Sequence, residues 1–322
     1  MRIGIIKTKN SKTEALAVIQ PEPIARIDKH PAAVYLAGLA EGSRRSMLQA
    51  LNVTAGLLSG GKDTAGSLNW ASLRYQHTQA IRTQLEAMYS PASARKMLSA
   101  LRGVLKEAWR LGLIASEDYR RAVDLRPVKG ERLPKGRAVT SGELRSLFFN
   151  CQADNGPAGR RDAGLIAILY AGGLRRSEAV ALDLEDYEAG AVRVRHGKGN
   201  KARQVYLSEG AQKALESWLG LRGSEAGPLF LPVNKGGKVI SRRLTAQAIF
   251  KALGVRALRA GVASFTPHDL RRSFVGDLLE AGADISTVQK LAGHSKTETT
   301  QRYDRRGEET KKKAAAMLHV PF

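Results

Sequence analysis

Cysteine is nearly absent from this sequence, and its scarcity excludes two kinds of stabilisation. The single cysteine among 322 residues, Cys151, cannot form an internal disulfide and supplies no cysteine cluster for a metal ion. We interpret Cys151 as a small buried hydrophobic residue. The sequence also has no run of about 18 consecutive apolar residues, so it predicts no transmembrane helix.

Two further signals are missing. The first 28 residues contain no apolar segment followed by a small-residue cleavage site. We interpret residues 1–28 as a short leader and expect a protein that is not exported. The spacing GxxxxGK followed by Ser or Thr, which cradles nucleotide phosphates, does not occur either. This absence argues against ATP as a co-substrate.

Acidic residues are scarce relative to basic ones. The 52 Lys and Arg residues against 30 Asp and Glu residues give a formal net charge of +22. Such an excess attracts polyanions and supplies sequence-independent affinity for nucleic acid. Both halves of the chain are basic, which favours a clamp around a duplex over a single recognition helix. Charge alone indicates a partner and no reaction.

The composition changes near the middle of the chain. Residues 127–139 are rich in proline, glycine and basic side chains and lack apolar periodicity, which is typical of an exposed linker. They separate a first domain, residues 29–126, from a second domain, residues 140–308. Residues 309–322 form a tail that includes an apolar, helix-prone stretch.

The two domains differ in the period of their apolar residues. In the first domain, apolar residues recur at three- and four-residue intervals, as in amphipathic helices, over the segments 32–40, 44–58, 73–89 and 92–111. In the second domain, Val192 and Val194 alternate with arginines, and Val205 and Leu207 alternate beyond a glycine-rich turn, which predicts a β-hairpin. We therefore expect a mainly α protein: a bundle of about four helices, then an α-rich domain with a small antiparallel sheet.

The segment TPHDLRR carries strong helix-start signals. Thr266 is a good N-cap, and Pro267 occupies the first helical position. His268 and Arg271 are three residues apart and share one face of the first turn. A helix start that bears a histidine and an arginine can bind a phosphate, and a surface ion pair is the alternative for this pair alone.

His294 and Tyr303 follow in the next part of the chain. His294 comes directly after Gly293, which ends a short predicted helix. Tyr303 lies in the run QRYDRR, a poor setting for a core aromatic residue and a good one for a phenol that approaches a polyanion.

Two candidates precede this region. Arg175 follows two glycines at a predicted helix start, and Glu178 lies three residues further on, near enough to orient it. Lys198 lies between two glycines in the hairpin turn HGKGNK. Taken alone, that turn is an exposed loop of a basic protein, and Lys201 is an alternative to Lys198.

Together these motifs resemble the tyrosine recombinase (phage integrase) family. The residues that carry the resemblance occur in the family's order: Arg175 in GLRRSE, Lys198 in HGKGNK, His268 and Arg271 in HDLR, His294 in AGH, and Tyr303 nine residues later. The match spans about residues 135–310. The first domain resembles the family's core-binding domain only in length, charge and helicity.

The resemblance implies a reaction at a DNA phosphodiester. Tyr303 would attack the scissile phosphate and form a 3′-phosphotyrosyl link with a free 5′-hydroxyl. Arg175 and Arg271 would hold the phosphate oxygens, and Lys198 would protonate the departing 5′-oxygen.

The remaining roles are also implied by the resemblance. His268 and His294 would donate hydrogen bonds or handle the tyrosine proton, and Glu178 would support Arg175. Because the covalent intermediate keeps the energy of the phosphodiester, no cofactor is implied, neither ATP nor a metal ion.

The resemblance also implies partners. Double-stranded DNA with an inverted-repeat core site would be held in a C-shaped clamp, and four protomers would join two duplexes through a Holliday junction. The apolar stretch of the tail, residues 309–322, has nothing obvious of its own to cover, so we expect the tail to dock in trans on a neighbouring protomer, with a self-packed final helix as the alternative. We also expect a bacterial cytoplasmic, nucleoid-associated location. Only about 28 residues precede the first helix, which favours a Xer-like or mobile-element integrase over one with an additional arm-binding domain.

Two rival functions share much of this chemistry. A type IB topoisomerase would relax supercoils as a monomer, and a DNA-binding protein with an inactive site would never become covalently attached. The sequence leaves open the target sequence, any accessory or directionality factor, and the choice between integration, excision, dimer resolution and cassette capture.

Overall fold

The computed structural model describes residues 29–130, 136–195 and 202–307, together with 312, 315 and 316. The chain divides into two compact units, of which the first ends at Pro134 and the second begins at Lys135. Each unit has its own hydrophobic core. The predicted hairpin turn with Lys198 and Lys201, and most of the tail 309–322, lie outside the described residues.

The first unit is helical, as predicted. Its elements are α1 Pro31–Ala37, α2 Glu41–Ser59, a 3-10 turn Trp70–Ser72, α3 Tyr75–Met88, α4 Pro91–Arg110 and α5 Ser116–Val123. The four predicted segments correspond to α1 to α4. The short helix α5, whose sequence SEDYRRAV buries only Ala122, was not predicted because it has too few apolar residues to show a period.

Helix α4 is the centre of the first unit. Ser90 caps its start, because the Ser90 hydroxyl accepts from the Ser93 N–H at 3.3 Å, and Pro91 fills the first helical position. The side chains of Leu98, Leu101 and Leu105 are buried along one face at three- and four-residue spacing. Burial of each contributes about 1.5–3 kcal/mol, so α4 forms through its packed face.

The second unit is α-rich with one small sheet, also as predicted. Its helices are α6 Ser141–Ala153, α7 Pro157–Tyr170, α8 Arg176–Ala181, α9 Glu209–Arg222, α10 Ala246–Arg259, α11 Pro267–Glu280, α12 Ile285–Ala292 and α13 Thr297–Gln301. Its strands are β1 Tyr187–Glu188, β2 Ala191–Val194 and β3 Arg203–Tyr206. Helices α9 and α10 were not among the predicted elements. None of the described helices combines the length and apolar character needed to cross a bilayer.

Helix α7 is buried on nearly every side. Residues 165–169 are wholly inaccessible to solvent, and α6, α9 and α11 pack around them. A buried ion cluster links α7 to α10, because Arg256 donates to Asp162 at 2.8 Å and to Asp154 at 2.6 Å. Such a pair is costly to break, because removal of one partner leaves an uncompensated buried charge.

The sheet is antiparallel in the order β1-β2-β3. The pairs Val192↔Val205 and Val194↔Arg203 fix the register of β2 and β3. Val192, Val194 and Val205 face the core, which confirms the alternation in the sequence. The inward face of β3 also carries Arg203, which brings a charged side chain into the second unit.

Candidate active site

The start of α11 is held by a capping network. The Asp269 carboxylate accepts from the Thr266 N–H at 2.9 Å and from the Thr266 hydroxyl at 2.8 Å. Its other oxygen accepts from the Arg137 N–H at 3.1 Å. This network fixes the first turn of α11 and thereby sets the positions of His268 and Arg271.

Arg271 connects two glycine turns. It is only 2% exposed, and its guanidinium donates to the Gly173 carbonyl at 2.5 Å and to the Ala292 carbonyl. Burial lowers the pKa of Arg271 to about 9, and the neighbouring Arg175 adds to this effect. Gly173 has a φ of +60°, and a Cβ there would collide with the Phe274 ring, so the turn requires glycine.

Arg175 lies at the N-cap of α8 and reaches the same region. Its guanidinium donates to Glu178 at 2.7 Å and to the Gly293 carbonyl at 3.0 Å. Glu178 also accepts from the Arg175 N–H at 2.8 Å. Glu178 therefore orients both the backbone and the guanidinium of Arg175, as the three-residue spacing predicted.

Arg203 is a contributor that sequence reasoning missed. It donates to both oxygens of Glu178, at 3.1 and 2.7 Å, and to the Leu291 carbonyl at 3.0 Å. Burial alone would raise the pKa of Glu178, but Arg203 and Arg175 hold it at about 2. The available signal was the alternation of β3, which places Arg203 on the inward face with Val205, where an arginine needs an anionic partner.

Tyr303 lies just beyond the end of α13, and its backbone N–H donates to the Thr300 carbonyl at 3.0 Å. The phenolic oxygen is 3.2 Å from Nε2 of His268. The Arg272 guanidinium lies over the phenol ring, 5.4 Å from its centroid. This arrangement is a cation–π contact, and no motif of the sequence singled out Arg272 for it.

His294 follows Gly293, which ends α12 in the left-handed conformation with φ +62°. Its Nδ1 is 2.9 Å from the Thr300 hydroxyl, and its ring centroid is 6.1 Å from that of Tyr303. Burial, and then the charge of Arg271, lower the pKa of His294 to about 4.

The pKa of His268 is also lowered, first by partial burial and then by the charge of Arg271 and Arg272. Both active-site imidazoles are therefore neutral near pH 7, and each has one donor and one acceptor nitrogen.

The described residues bring together five of the six predicted site residues and Glu178. Two guanidiniums, two neutral imidazoles and a phenol surround one location, a combination suited to binding an anion beside a nucleophile. Lys198 lies outside the described residues. The candidates that the structure places here are Arg175, His268, Arg271, His294 and Tyr303.

Comparison with known proteins assigns the family. The model of the phage integrase family matches residues 137–309, which contain every predicted site residue. The chain belongs to the phage integrase family. This recombinase is 35% identical over 281 residues to the tyrosine recombinase XerC of Pseudomonas aeruginosa, with 82% of each chain covered. It is 38% identical over 229 residues to XerD of Mycobacterium tuberculosis, covering 67% of this chain and 70% of XerD.

Solved structures agree on the fold. An integrase of transposon Tn1549, solved with transposon right-end DNA, has a TM-score of 0.67 at 16% identity and covers 90% of this chain and 98% of its own. A lambda integrase dimer bound to a COC′ core site has a TM-score of 0.61 at 15% identity, covering 86% and 75%. The family match and the XerC and XerD relatives make the protein a site-specific DNA recombinase and do not favour the topoisomerase or non-catalytic alternatives.

Proposed function

We propose that the recombinase cleaves and rejoins duplex DNA with Tyr303 as its nucleophile. The phenolic oxygen would attack the scissile phosphorus, form a 3′-phosphotyrosyl bond and release the 5′-oxygen. The observation that carries this proposal is the convergence of His268, Arg175, Arg271 and His294 around that phenol. A later attack by a 5′-hydroxyl would reverse the chemistry and release Tyr303, so the step needs no external energy.

In this mechanism, Arg175 and Arg271 bind the non-bridging oxygens of the phosphate. A guanidinium has five N–H donors, and each of these arginines already uses part of its set on backbone carbonyls. Those bonds fix the planes of the guanidiniums before DNA binds. Charge that develops on the phosphate in the transition state then meets donors that need little reorganisation.

His268 accepts the proton of the attacking phenol. The distance of 3.2 Å between its Nε2 and the phenolic oxygen is within hydrogen-bond reach. Because its pKa is lowered, the imidazole is neutral near pH 7 and available as a base. His294, neutral for the same reason, donates a hydrogen bond to the phosphate.

Lys198 protonates the departing 5′-oxygen, with Lys201 as the alternative acid. The support for this role is the family match and the position of the segment HGKGNK between β2 and β3. Glu178 and Arg203 anchor β3 beside Arg175, so the strand that follows this segment is tied directly to the site.

We further propose the assembly that the family resemblance implies. The unit 29–126 is the core-binding domain, 127–139 the linker and 140–308 the catalytic domain, and four protomers act on two duplexes with inverted-repeat sites. Strand exchange proceeds through a Holliday junction, and the tail 309–322 docks in trans on a neighbouring protomer. This assembly can also accommodate an accessory or directionality factor. A DNA substrate and bacterial relatives such as XerC support a location in the bacterial cytoplasm, at the nucleoid.

Covalent capture tests the proposal. The wild type and the matched variant Tyr303→Phe are incubated with fragmented bacterial DNA and quenched with SDS, and protein-linked DNA is sequenced. We expect adducts at a shared inverted-repeat site from the wild type alone. Binding by the wild type without an SDS-stable adduct, or equal adducts from Tyr303→Phe, would contradict the role of Tyr303.

A chain that ends at residue 311 serves in the same assay as a test of the tail. If trans docking couples the protomers, we expect this chain to form adducts but to lose higher-order assembly and recombination. Unchanged recombination would rule out that role.

A further inference from the structure

Thr300 occupies an unusual place beside the nucleophile. It lies in α13 three residues before Tyr303, and its side chain is completely buried. Its hydroxyl is 2.9 Å from Nδ1 of His294, and its carbonyl accepts from the Tyr303 N–H at 3.0 Å. One residue therefore contacts both the nucleophile's backbone and an imidazole of the site.

The burial of this hydroxyl fixes the direction of its hydrogen bond. Across the described residues, Nδ1 of His294 is its one side-chain partner. If Nδ1 carried the proton, the hydroxyl would accept and its own proton would be left buried without an acceptor, at a cost of about 1–3 kcal/mol. The hydroxyl therefore donates to Nδ1, and the imidazole proton belongs on Nε2.

The tautomer matters because His294 is neutral. Burial and the adjacent arginines hold its pKa at about 4, so only one of its nitrogens has a proton to donate near pH 7. With Nδ1 engaged by Thr300, Nε2 is the donor that remains for a substrate. An imidazole in the other tautomer would present a lone pair to a phosphate oxygen, and that contact is repulsive.

A second hydrogen-bonded link joins α13 to the turn that carries His294. The Thr297 hydroxyl, at the start of α13, donates to the Gln289 side chain in α12 at 2.9 Å. The other end of that amide donates to the His294 carbonyl at 3.1 Å. The backbone and the ring of His294 are thus each linked, through Gln289 and through Thr300, to the helix that precedes Tyr303.

We propose that Thr300 is a positioning residue whose hydroxyl holds His294 in the Nε2–H tautomer and aims it at the scissile phosphate while α13 is docked. This inference rests on the proposed function for the role of the phosphate. In this arrangement, the side chains of Tyr303 and His294 are assembled as one unit. Undocking of α13 would withdraw Tyr303 and also remove the hydrogen bond that favours the Nε2–H tautomer of His294.

Nuclear magnetic resonance of ¹⁵N-histidine-labelled full-length protein tests the tautomer directly. The two ring nitrogens differ strongly in shift when one is protonated, and His294 is assigned among the six histidines by its loss in His294→Gln. We expect protonated Nε2 in the wild type and in Thr300→Ser, and a mixture of tautomers in Thr300→Val. Protonated Nδ1 in the wild type would overturn the proposal.

Single-turnover cleavage of a core-site duplex tests the consequence. We expect Thr300→Val to cleave about tenfold more slowly, the equivalent of one lost hydrogen bond. The affinity for DNA should be unchanged, and Thr300→Ser should cleave within about twofold of the wild-type rate. The matched control is Thr299→Val, in the same helix, because within the described residues the Thr299 hydroxyl forms no hydrogen bond.

A double-mutant cycle separates positioning from simple loss of structure. In a His294→Gln background, Thr300→Val should have no further effect on the cleavage rate. An equal loss in both backgrounds would mean that Thr300 only stabilises α13. A wild type that forms no covalent adduct would instead refute the proposed function, and the tautomer measurement would still decide the place of Thr300.

Discussion

Arginines bond to backbone carbonyls in both units of the recombinase, but with different results. In the first unit, Arg102 donates to the Leu125 carbonyl at 2.7 Å, and Arg95 donates to the Val128 carbonyl at 3.2 Å. These bonds fasten the segment after α5 to α4. In the second unit, Arg271, Arg175 and Arg203 also bond to backbone carbonyls, but those carbonyls belong to the turn before α8 and to the end of α12, close to the candidate site.

The two groups of arginines differ in whether their side chains converge on one location and in whether nearby carboxylates neutralise their charge. Arg175 and Arg203 share one buried carboxylate, Glu178, whose single charge cannot neutralise both of them. Arg271 donates to backbone carbonyls in the same region, which adds a further positive charge. The remaining positive charge is neutralised only when an anion binds at the candidate site. The arginines of the first unit are partly exposed and spread along a helix, so water screens them. A high arginine count therefore overstates the number of phosphate contacts.

Substitution of Arg271 should reduce cleavage more than any other change proposed for these arginines. Arg271→Lys keeps a positive charge but loses the planar set of donors, so we expect single-turnover cleavage to fall about 10²–10³-fold. The affinity for core-site DNA should change little, since many other contacts contribute. Rapid-quench cleavage assays and binding titrations on the same preparation measure the two effects. Normal cleavage by a folded Arg271→Lys protein would refute convergence on the phosphate.

Acidification tests the desolvated, positively charged surroundings of His294. The pKa of His294 is about 4 in the folded recombinase and about 6.5 when unfolded, so the unfolded chain binds the proton more readily. The stability from this group is present above pH 6.5 and is lost as the pH falls towards 4. Because His294 is only half-buried and solvent screens it in part, the loss at pH 5 is on the order of 1 kcal/mol.

Urea denaturation of the DNA-free protein at pH 7.5 and pH 5 measures this loss, with His294→Gln as the matched variant. The variant should lose less free energy of unfolding on acidification than the wild type. Because the pKa of His268 is lowered too, some acid sensitivity should remain. An identical pH dependence in both proteins would contradict the desolvated environment of His294.

The smallest effects come from a pair of substitutions within α4. Arg102→Gln should lower the free energy of unfolding by about 1–2 kcal/mol and leave the salt dependence of DNA binding unchanged. Lys96→Gln, at an exposed position, should change stability by less than about 0.5 kcal/mol and reduce the slope of log K against log salt by about 1. Arg102→Gln should therefore have the larger effect in denaturation curves, and Lys96→Gln should have the larger effect in salt titrations. A parallel response would contradict the distinction between basic residues that hold the fold together and basic residues that bind phosphate.

Most of the fold could be predicted from local patterns. Strong apolar periodicity and capping residues marked α2, α4 and α11, and alternation marked β2 and β3. Helix α10 was missed because it carries exposed apolar residues, Phe250 and Leu258, and a buried arginine, Arg256. Its sequence therefore contradicts the simple amphipathic pattern. The buried arginine is tolerated because two carboxylates from distant segments neutralise it.

The family and the candidate reacting groups could be predicted from local sequence, because the motifs carry chemically specific residues at fixed spacings. How those groups support each other depends on tertiary packing. Arg203, Arg272 and Thr300 are ordinary residues in their local sequence, and each gains its contact to Glu178, Tyr303 or His294 when separate elements pack together. Hydrogen-bond direction, desolvation and charge balance depend on atoms that are distant in the chain, and local patterns contain no information about those distances.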